Sequence, residues 1–431
     1  MKKKQHVILA FFLIFVAFYW TACKTVPSKP EPSAVTPAGP GKSVTEWPTG
    51  VTKFIPEKCY NGFTIWCSLA GDGTVHFMDM RGKTVHSWKM PYPPGLYGRL
   101  LESGNLLYAG RTTTGYGKGK YHMSGKGGAV MEVDWNGKTV VKFYQHNAHH
   151  DTDKLPNGNY LLLLWDPVPK EKRKLVKGGL PGSEFPDGTI FEEIIAEVDP
   201  KGKIVWSWRG SDHLNPEEYP ICPLDDRIEW LHANSVKYLP ADNPITGTES
   251  IMVSLRQPFA CIIFEKSTGK VQWRYGGCIE GEWGRLGAQH DFQMIQKGLP
   301  GEGNILVFDN GMNLANTKAA NMYWGMAHSR ILEIAPKTKR VVWRYEHKEK
   351  GWKFPIPPKW KFNSPYISGA QRLPNGNTLI CEGGTGRIFE VTKKGEIVWE
   401  FINPDRKAVF RAYRYGPDFP GLTGKNLPKP Y

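Results

Sequence analysis

The sequence predicts an all-β fold, a six-bladed β-propeller of four-stranded antiparallel blades, and three observations carry that expectation. A polar turn, with Lys in all six copies and Gly in five, recurs along 431 residues. An aromatic residue stands six positions past each of those turns. No long stretch has an apolar period near 3.6, so helix is expected to be scarce.

Gly82, Gly137, Gly202, Gly269, Lys339 and Gly395 anchor the repeat, at intervals of 55, 65, 67, 70 and 56 residues. The matching aromatics are Trp88, Phe143, Trp208, Tyr275, Tyr345 and Phe401. Apolar, β-branched runs flank each turn, as in Ile194-Ile195-Ala196-Glu197-Val198 before Gly202 and Ile204-Val205-Trp206 after it. Such runs about a short Gly turn read as a hairpin. Between anchors lie further tight turns, Pro156-Asn157-Gly158-Asn159 and Pro374-Asn375-Gly376-Asn377, with weaker copies at Gly104-Asn105 and Gly303-Asn304. Two hairpins per unit make a blade, and six units close into a ring with little exposed sheet edge. A β-solenoid is the rival, but its rungs are shorter than these units. Apolar residues are 40% and aromatics 13% of the chain, enough for a large core.

Residues 1–23 read as a leader. Lys2-Lys3-Lys4 is positively charged, and Val7 to Trp20 is apolar but short for a membrane span. Trp20-Thr21-Ala22-Cys23 resembles a lipoprotein cleavage site, which makes Cys23 the expected lipidated residue and membrane tether; ordinary signal cleavage nearby is the alternative. Residues 24–50, rich in Pro, Gly and Ser, form a linker, and 51–431 the propeller. A periplasmic or cell-envelope location follows. Beyond Cys23 there are six cysteines, of which Cys59 and Cys67 lie close enough to bridge, with the connectivity left open.

Net charge is +15 with a pI near 9.3. The excess is scattered over turns, with one loop run from Lys170 to Lys177, and a secreted chain would not normally meet nucleic acid. A positive surface that draws in anionic substrate or anionic lipid fits, as does simple solubility.

Three segments carry the chemistry: Asn147-Ala148-His149-His150-Asp151, Trp230-Leu231-His232-Ala233-Asn234-Ser235 and Ala288-Gln289-His290-Asp291-Phe292. Each precedes a strand-like run. His150 and His290 stand five residues before Leu155 and Ile295, and His232 and Asn234 seven and five before Leu239. Alternate strand residues share a face, so three successive blades supply His150, His232 with Asn234, and His290. Arg256, after Ile251–Leu255, is the fourth candidate. Histidines that merely fill a channel are the bland reading, and a three-histidine metal site is another. Arg256 speaks against the metal, because a cation repels a divalent ion unless an anion intervenes. Arg and His binding a tetrahedral oxyanion while a neutral imidazole attacks it is the third reading. Asp151 and Asp291 read as turn or imidazole-orienting residues. Gly119 to Lys126 is a phosphate-loop look-alike one residue too long, and no cofactor is expected.

At these residues the chain resembles the bacterial periplasmic arylsulfate sulfotransferases, propeller enzymes that need no nucleotide sulfate donor. The matching motifs are His150-Asp151 before the Pro-Asn-Gly-Asn turn, His232-Ala233-Asn234-Ser235 followed by Ser254-Leu255-Arg256-Gln257, Gln289-His290, Phe308-Asp309-Asn310-Gly311 and Arg411-Ala412. The resemblance implies His290 as the transiently sulfurylated nucleophile, with His150, His232, Asn234 and Arg256 binding the sulfuryl group or moving protons. It implies ping-pong transfer from a phenolic sulfate ester to a phenol, both small molecules. The chain departs from larger members in having only about 50 residues before the propeller and one cysteine, Cys278, where they carry a pair before the nucleophile. Where they place a channel threonine it reads Ser364-Pro365-Tyr366-Ile367-Ser368. A non-catalytic propeller that binds a ligand or envelope partner is the alternative function.

Overall fold

Each of the six anchor turns joins the third and fourth strands of a blade. The computed structural model describes residues 48–113, 121, 123–223, 225–282, 285–311, 328–346 and 362–431. The leader, Cys23, the linker to residue 47 and part of the Gly119–Lys126 segment lie outside the described residues.

Blade 2 holds Pro94–Leu100, Leu106–Arg111, Gly128–Val133 and Thr139–Tyr144, written from the axis outward. Blade 3 holds Ala148–Lys154, Tyr160–Pro167, Phe191–Val198 and Ile204–Arg209. Blade 4 holds Ala233–Leu239, Ser250–Leu255, Ala260–Glu265 and Val271–Gly276. Blade 5 holds His290–Met294, Ile305–Asp309, Arg330–Ala335 and Arg340–Tyr345. Blade 6 holds Gly369–Arg372, Thr378–Glu382, Arg387–Val391 and Ile397–Ile402, with Gly50–Phe54 as a fifth, outermost strand. Blade 1 is shared between the chain ends: Tyr413–Tyr415 pairs inside Phe63–Trp66, Thr74–Met78 and Thr84–Lys89. Helix among the described residues amounts to Gly210–His213 and short 3₁₀ turns.

The anchors are glycines because the turn needs a left-handed residue: φ is 82, 83, 89, 69 and 84° at Gly82, Gly137, Gly202, Gly269 and Gly395. Lys339 takes the same conformation, φ 55°, at the cost of a Cβ clash. The aromatic six residues on is buried at an inter-blade seam. Trp88 packs between blades 1 and 2, Phe143 between 2 and 3, and Trp208 between 3 and 4. Tyr275, Tyr345 and Phe401 fill the 4–5, 5–6 and 6–1 seams. Burying each such ring stabilises by about 1.5–3 kcal/mol.

Hydrogen bonds follow the same circuit. Trp88, Trp208, Trp273, Trp343 and Trp399 each donate an indole N–H to the anchor hairpin of the next blade, on Asp134, Gly269, Pro336, Lys393 and Met80 carbonyls at 2.8–3.1 Å. At the 2–3 seam Gln145 Nε2 donates to the Gly202 carbonyl instead, at 2.7 Å. The Asn after each inner glycine has a matching task. Asn105, Asn159, Asn304 and Asn377 donate to Glu132, Glu197, Glu333 and Glu390 on the third strand of their blades.

One cysteine expectation is corrected. Cys59 and Cys67 are free, and Cys222 bonds Cys278. Cys59 borders the 6–1 seam while Cys67 lies in the 1–2 seam, so eight residues of chain carry them apart.

Candidate active site

His150, His232, Asn234 and His290 sit where the innermost strands of blades 3, 4 and 5 begin, and all of them start irregularly. The pairing slips between Leu162 and Leu163 opposite His149–Thr152, so His150 and Asp151 bulge out of the ladder. Asn234 bulges in the same way in blade 4 and Asp291 in blade 5. His150, His232, Ala288, Asp291, Ile367 and Ser368 have φ between 47 and 91°. Each such residue costs of order 1–3 kcal/mol, and strain of this kind persists where surrounding structure imposes it.

The five side chains singled out in the sequence converge. His150 and His232 rings lie 4.8 Å apart, centroid to centroid. Arg256 follows the second strand of blade 4, and its N–H donates to the His232 carbonyl at 3.1 Å. Its guanidinium reaches Asp225 at 3.3 Å and remains partly exposed. Asn234 Nδ2 donates to the carbonyl of Gln289, next to His290, at 2.8 Å, and the buried Asn234 Oδ1 has no described partner. Among the described residues, the hydrogen bonds of His150 and His232 run through Nδ1, to His149 and Glu229, and not through Nε2. The two Nε2 atoms are the nitrogens a ligand could meet.

His290 is held most tightly. Asn310 spends its amide N–H groups on the Ser364 and Ile367 carbonyls, at 2.7 and 3.0 Å. Its Oδ1 therefore faces His290 Nδ1, 2.8 Å away, as an acceptor, and Nδ1 must carry the proton. The lone pair is left on Nε2, where the Ile367 N–H donates at 3.2 Å. Burial, with Arg256, His232 and Arg411 nearby, drives the His290 pKa well below the ordinary imidazole value, although Asn310 opposes the shift. Burial and the neighbouring His232, His149 and His290 do the same to His150. Both rings are neutral at pH 7.

The axis is plugged beside the cluster. Arg411, fully buried, donates to Asp151 at 2.8 Å and to the Asn234 carbonyl at 3.0 Å, and lies 3.5 Å from Asp291. Asp151 also takes Lys237 Nζ, the Val236 N–H and the Tyr97 hydroxyl. Asp291 accepts from the Ala370 N–H and Gln293. The two aspartates thus brace inner strands against one another and, among the described residues, hydrogen-bond to no histidine. The site is closed on that side.

Sequence reasoning missed the residues behind the imidazoles. His149 Nδ1 lies 2.8 Å from His150 Nδ1, and its ring stacks on Trp165 at 4.4 Å. Glu229 Oε2 lies 3.1 Å from His232 Nδ1. Gly125 is bare because a Cβ there would fall 2.1 Å from His150 Cε1. The doubled histidine and an acid three residues before His232 were the signals available. Among the described residues no three His, Cys, Asp or Glu side chains are grouped to hold a metal.

Fold and site together define a six-bladed propeller in which His150, His232 and His290 gather at the start of the inner strands, with Arg256 beside them. The chain belongs to the arylsulfotransferase (ASST) family, whose model matches residues 111–415. Membership implies small-molecule aryl substrates and sulfotransferase chemistry in general. No curated protein matches the chain. Among solved structures it is similar to a Bacteroides caccae protein of unknown function, with 11% identity, 82% of this chain and 99% of that one covered, and a TM-score of 0.46. A catalytically inactive virginiamycin B lyase from Staphylococcus aureus shows 9% identity over 84% of this chain and 91% of its own, with a TM-score of 0.41. These distant likenesses carry no argument about chemistry.

Proposed function

We propose that the protein moves a sulfuryl group from a phenolic sulfate ester to a phenol by a ping-pong cycle through a sulfo-histidine on His290. The observation that carries this reading is the pairing of His290 with Asn310, which leaves a neutral ring with its lone pair on Nε2, near Arg256; in attack that nitrogen gives up the Ile367 N–H for sulfur. A sulfate monoester resists attack until its oxygens are compensated, and Arg256, Asn234 and the His150–His232 pair surround the place where that charge develops. As Nε2 bonds sulfur, the S–O bond to the ring breaks and the electron pair leaves on the phenol oxygen. A neighbouring imidazole, His150 or His232, supplies its proton. The sulfated ring keeps Nδ1–H on Asn310, so it is cationic and a ready leaving group. The acceptor phenol then gives its proton to the same base, attacks sulfur, and returns the N–S pair to Nε2.

A chromogenic aryl sulfate offered with and without phenol tests this. Release of the coloured phenol that needs the acceptor, and is lost in His290→Asn, is expected. Release without acceptor would indicate a sulfatase. No release from a folded protein would favour a ligand-binding propeller.

We propose further that the protein lies in the cell envelope, tethered through Cys23, on the strength of the charged, apolar leader and the Ala22-Cys23 junction. Cys23→Ser should free it from membranes, and retention there would refute the tether.

A further inference from the structure

The two facing imidazoles are backed by different chemistry. Behind His150 stands another imidazole, His149, which offers a hydrogen bond and no charge. Behind His232 stands Glu229, 1% exposed, with Oε2 3.1 Å from His232 Nδ1. The same oxygen accepts the Trp165 indole N–H at 3.1 Å. The backbone fixes Glu229 in place. Phe191 donates its N–H to the Ile228 carbonyl at 2.8 Å and accepts from the Trp230 N–H at 2.7 Å, stitching this segment to blade 3.

We propose that Glu229 is a positioning residue that makes His232, rather than His150, the imidazole that hands a proton to the departing phenol oxygen and recovers it from the entering one. The proposal rests on the sulfuryl-transfer reading. While the S–O bond breaks, the proton on His232 Nε2 passes to the aryl oxygen, Nδ1–H stays against Glu229, and the ring becomes neutral. In the second half the acceptor's hydroxyl proton returns to Nε2.

The surroundings favour that assignment. His232 lies among His150, His149, His290 and Arg256. Two carboxylates stand close to it. Asp225 is paired with Arg256, and Glu229 lies within hydrogen-bond reach of the ring. Burial and the neighbouring Glu229 push the Glu193 pKa well above the usual carboxylate range, although its Oε1 accepts the Ala233 N–H at 2.7 Å. Glu229 Oε2 is the oxygen that lies against His232 Nδ1. A carboxylate on Nδ1 also fixes the tautomer that points Nε2 at the substrate.

The test compares wild type, Glu229→Gln and Trp165→Phe on a series of aryl sulfates of rising phenol pKa, each over a range of pH. With the carboxylate gone the imidazolium loses its partner. Glu229→Gln is expected to shift the basic limb of kcat/KM to lower pH and to slow poor leaving groups by about 10²-fold, good ones by only a few-fold. Trp165→Phe takes one donor from the carboxylate, strengthens its pull on His232, and is expected to move that limb to higher pH. A uniform loss across leaving groups with both limbs unmoved would overturn the proposal. Should Glu229→Gln fail to fold, an unmoved or lowered limb in Trp165→Phe overturns it alone. Wild type without acceptor-dependent transfer would instead refute the underlying reading.

Discussion

Asn310 Oδ1 lies 2.8 Å from His290 Nδ1, on an amide whose N–H groups are both committed to backbone carbonyls of the 364–367 segment. An amide that cannot flip is a fixed acceptor, and a fixed acceptor determines which ring nitrogen carries the proton and which the lone pair. Asn310→Leu keeps similar bulk and removes that control. We expect sulfuryl transfer to the enzyme to fall by about 10²–10³-fold, with donor KM changed much less. Pre-steady-state release of the first phenol checks it; an undiminished burst would mean that Asn310 does not set the nucleophile.

Gly125 offers a cleaner perturbation of His150. It has φ +78°, and an added Cβ would meet the imidazole at 2.1–2.5 Å. Gly137 has φ +83° with nothing within 4 Å. Alanine at either carries a left-handed penalty of about 1–2 kcal/mol, but only Gly125→Ala pushes a ring. Gly137→Ala should therefore lower Tm and keep activity, while Gly125→Ala should lose activity beyond what its Tm explains. Parallel loss in both would mean that the position of His150 is unimportant.

The buried imidazoles make the fold acid-sensitive. His149, His150 and His290 all have pKa values well below 6.5, chiefly through desolvation. Each binds a proton more readily unfolded than folded, so their contribution is intact above the unfolded value and is lost as pH falls below it. Three such groups give a limiting slope of about 4 kcal/mol per pH unit. Denaturant midpoints measured from pH 7 downward should fall steeply below about pH 6, and His149→Phe should flatten that fall. An unchanged slope in the variant would remove His149 from the account.

What was legible in the sequence was whatever local geometry dictates. Gly82, Gly137, Gly202, Gly269 and Gly395 are visible because a left-handed turn selects glycine, and Trp88 or Phe401 because each seam needs a ring at the same offset. His150, His232 and His290 stood out because they precede strands at matching spacings. Glu229, Trp165 and His149 did not, since their meeting joins blade 3 to the approach to blade 4 through one parallel bridge. Arg411 was visible as a motif, but its partner Asp151 lies 260 residues away, and no local pattern reports such a pair. Sequence nearness misled outright for Cys59 and Cys67, because a propeller sends neighbouring segments to different seams.

The disulfide that does form is placed to serve the site. The Cys222 N–H donates to the Gln257 carbonyl and the Cys278 N–H to the Pro258 carbonyl, both at 3.0 Å. The bridge therefore clasps the two residues that follow Arg256, on a chain that runs from Asp225 toward His290. Closing a loop of 56 residues stabilises by about 4 kcal/mol in the chain-entropy account. Replacing both cysteines by serine should cost about 2–4 kcal/mol in denaturant unfolding, and reduction of the native protein should cost a similar amount. A loosened 256–258 segment should also weaken donor binding, raising KM for the aryl sulfate more than it lowers kcat, because Arg256 would contact the sulfate before and during transfer while His290 stays clamped by Asn310. A fall in kcat at constant KM would instead mean that the clasp acts on His290, through the chain leading into blade 5.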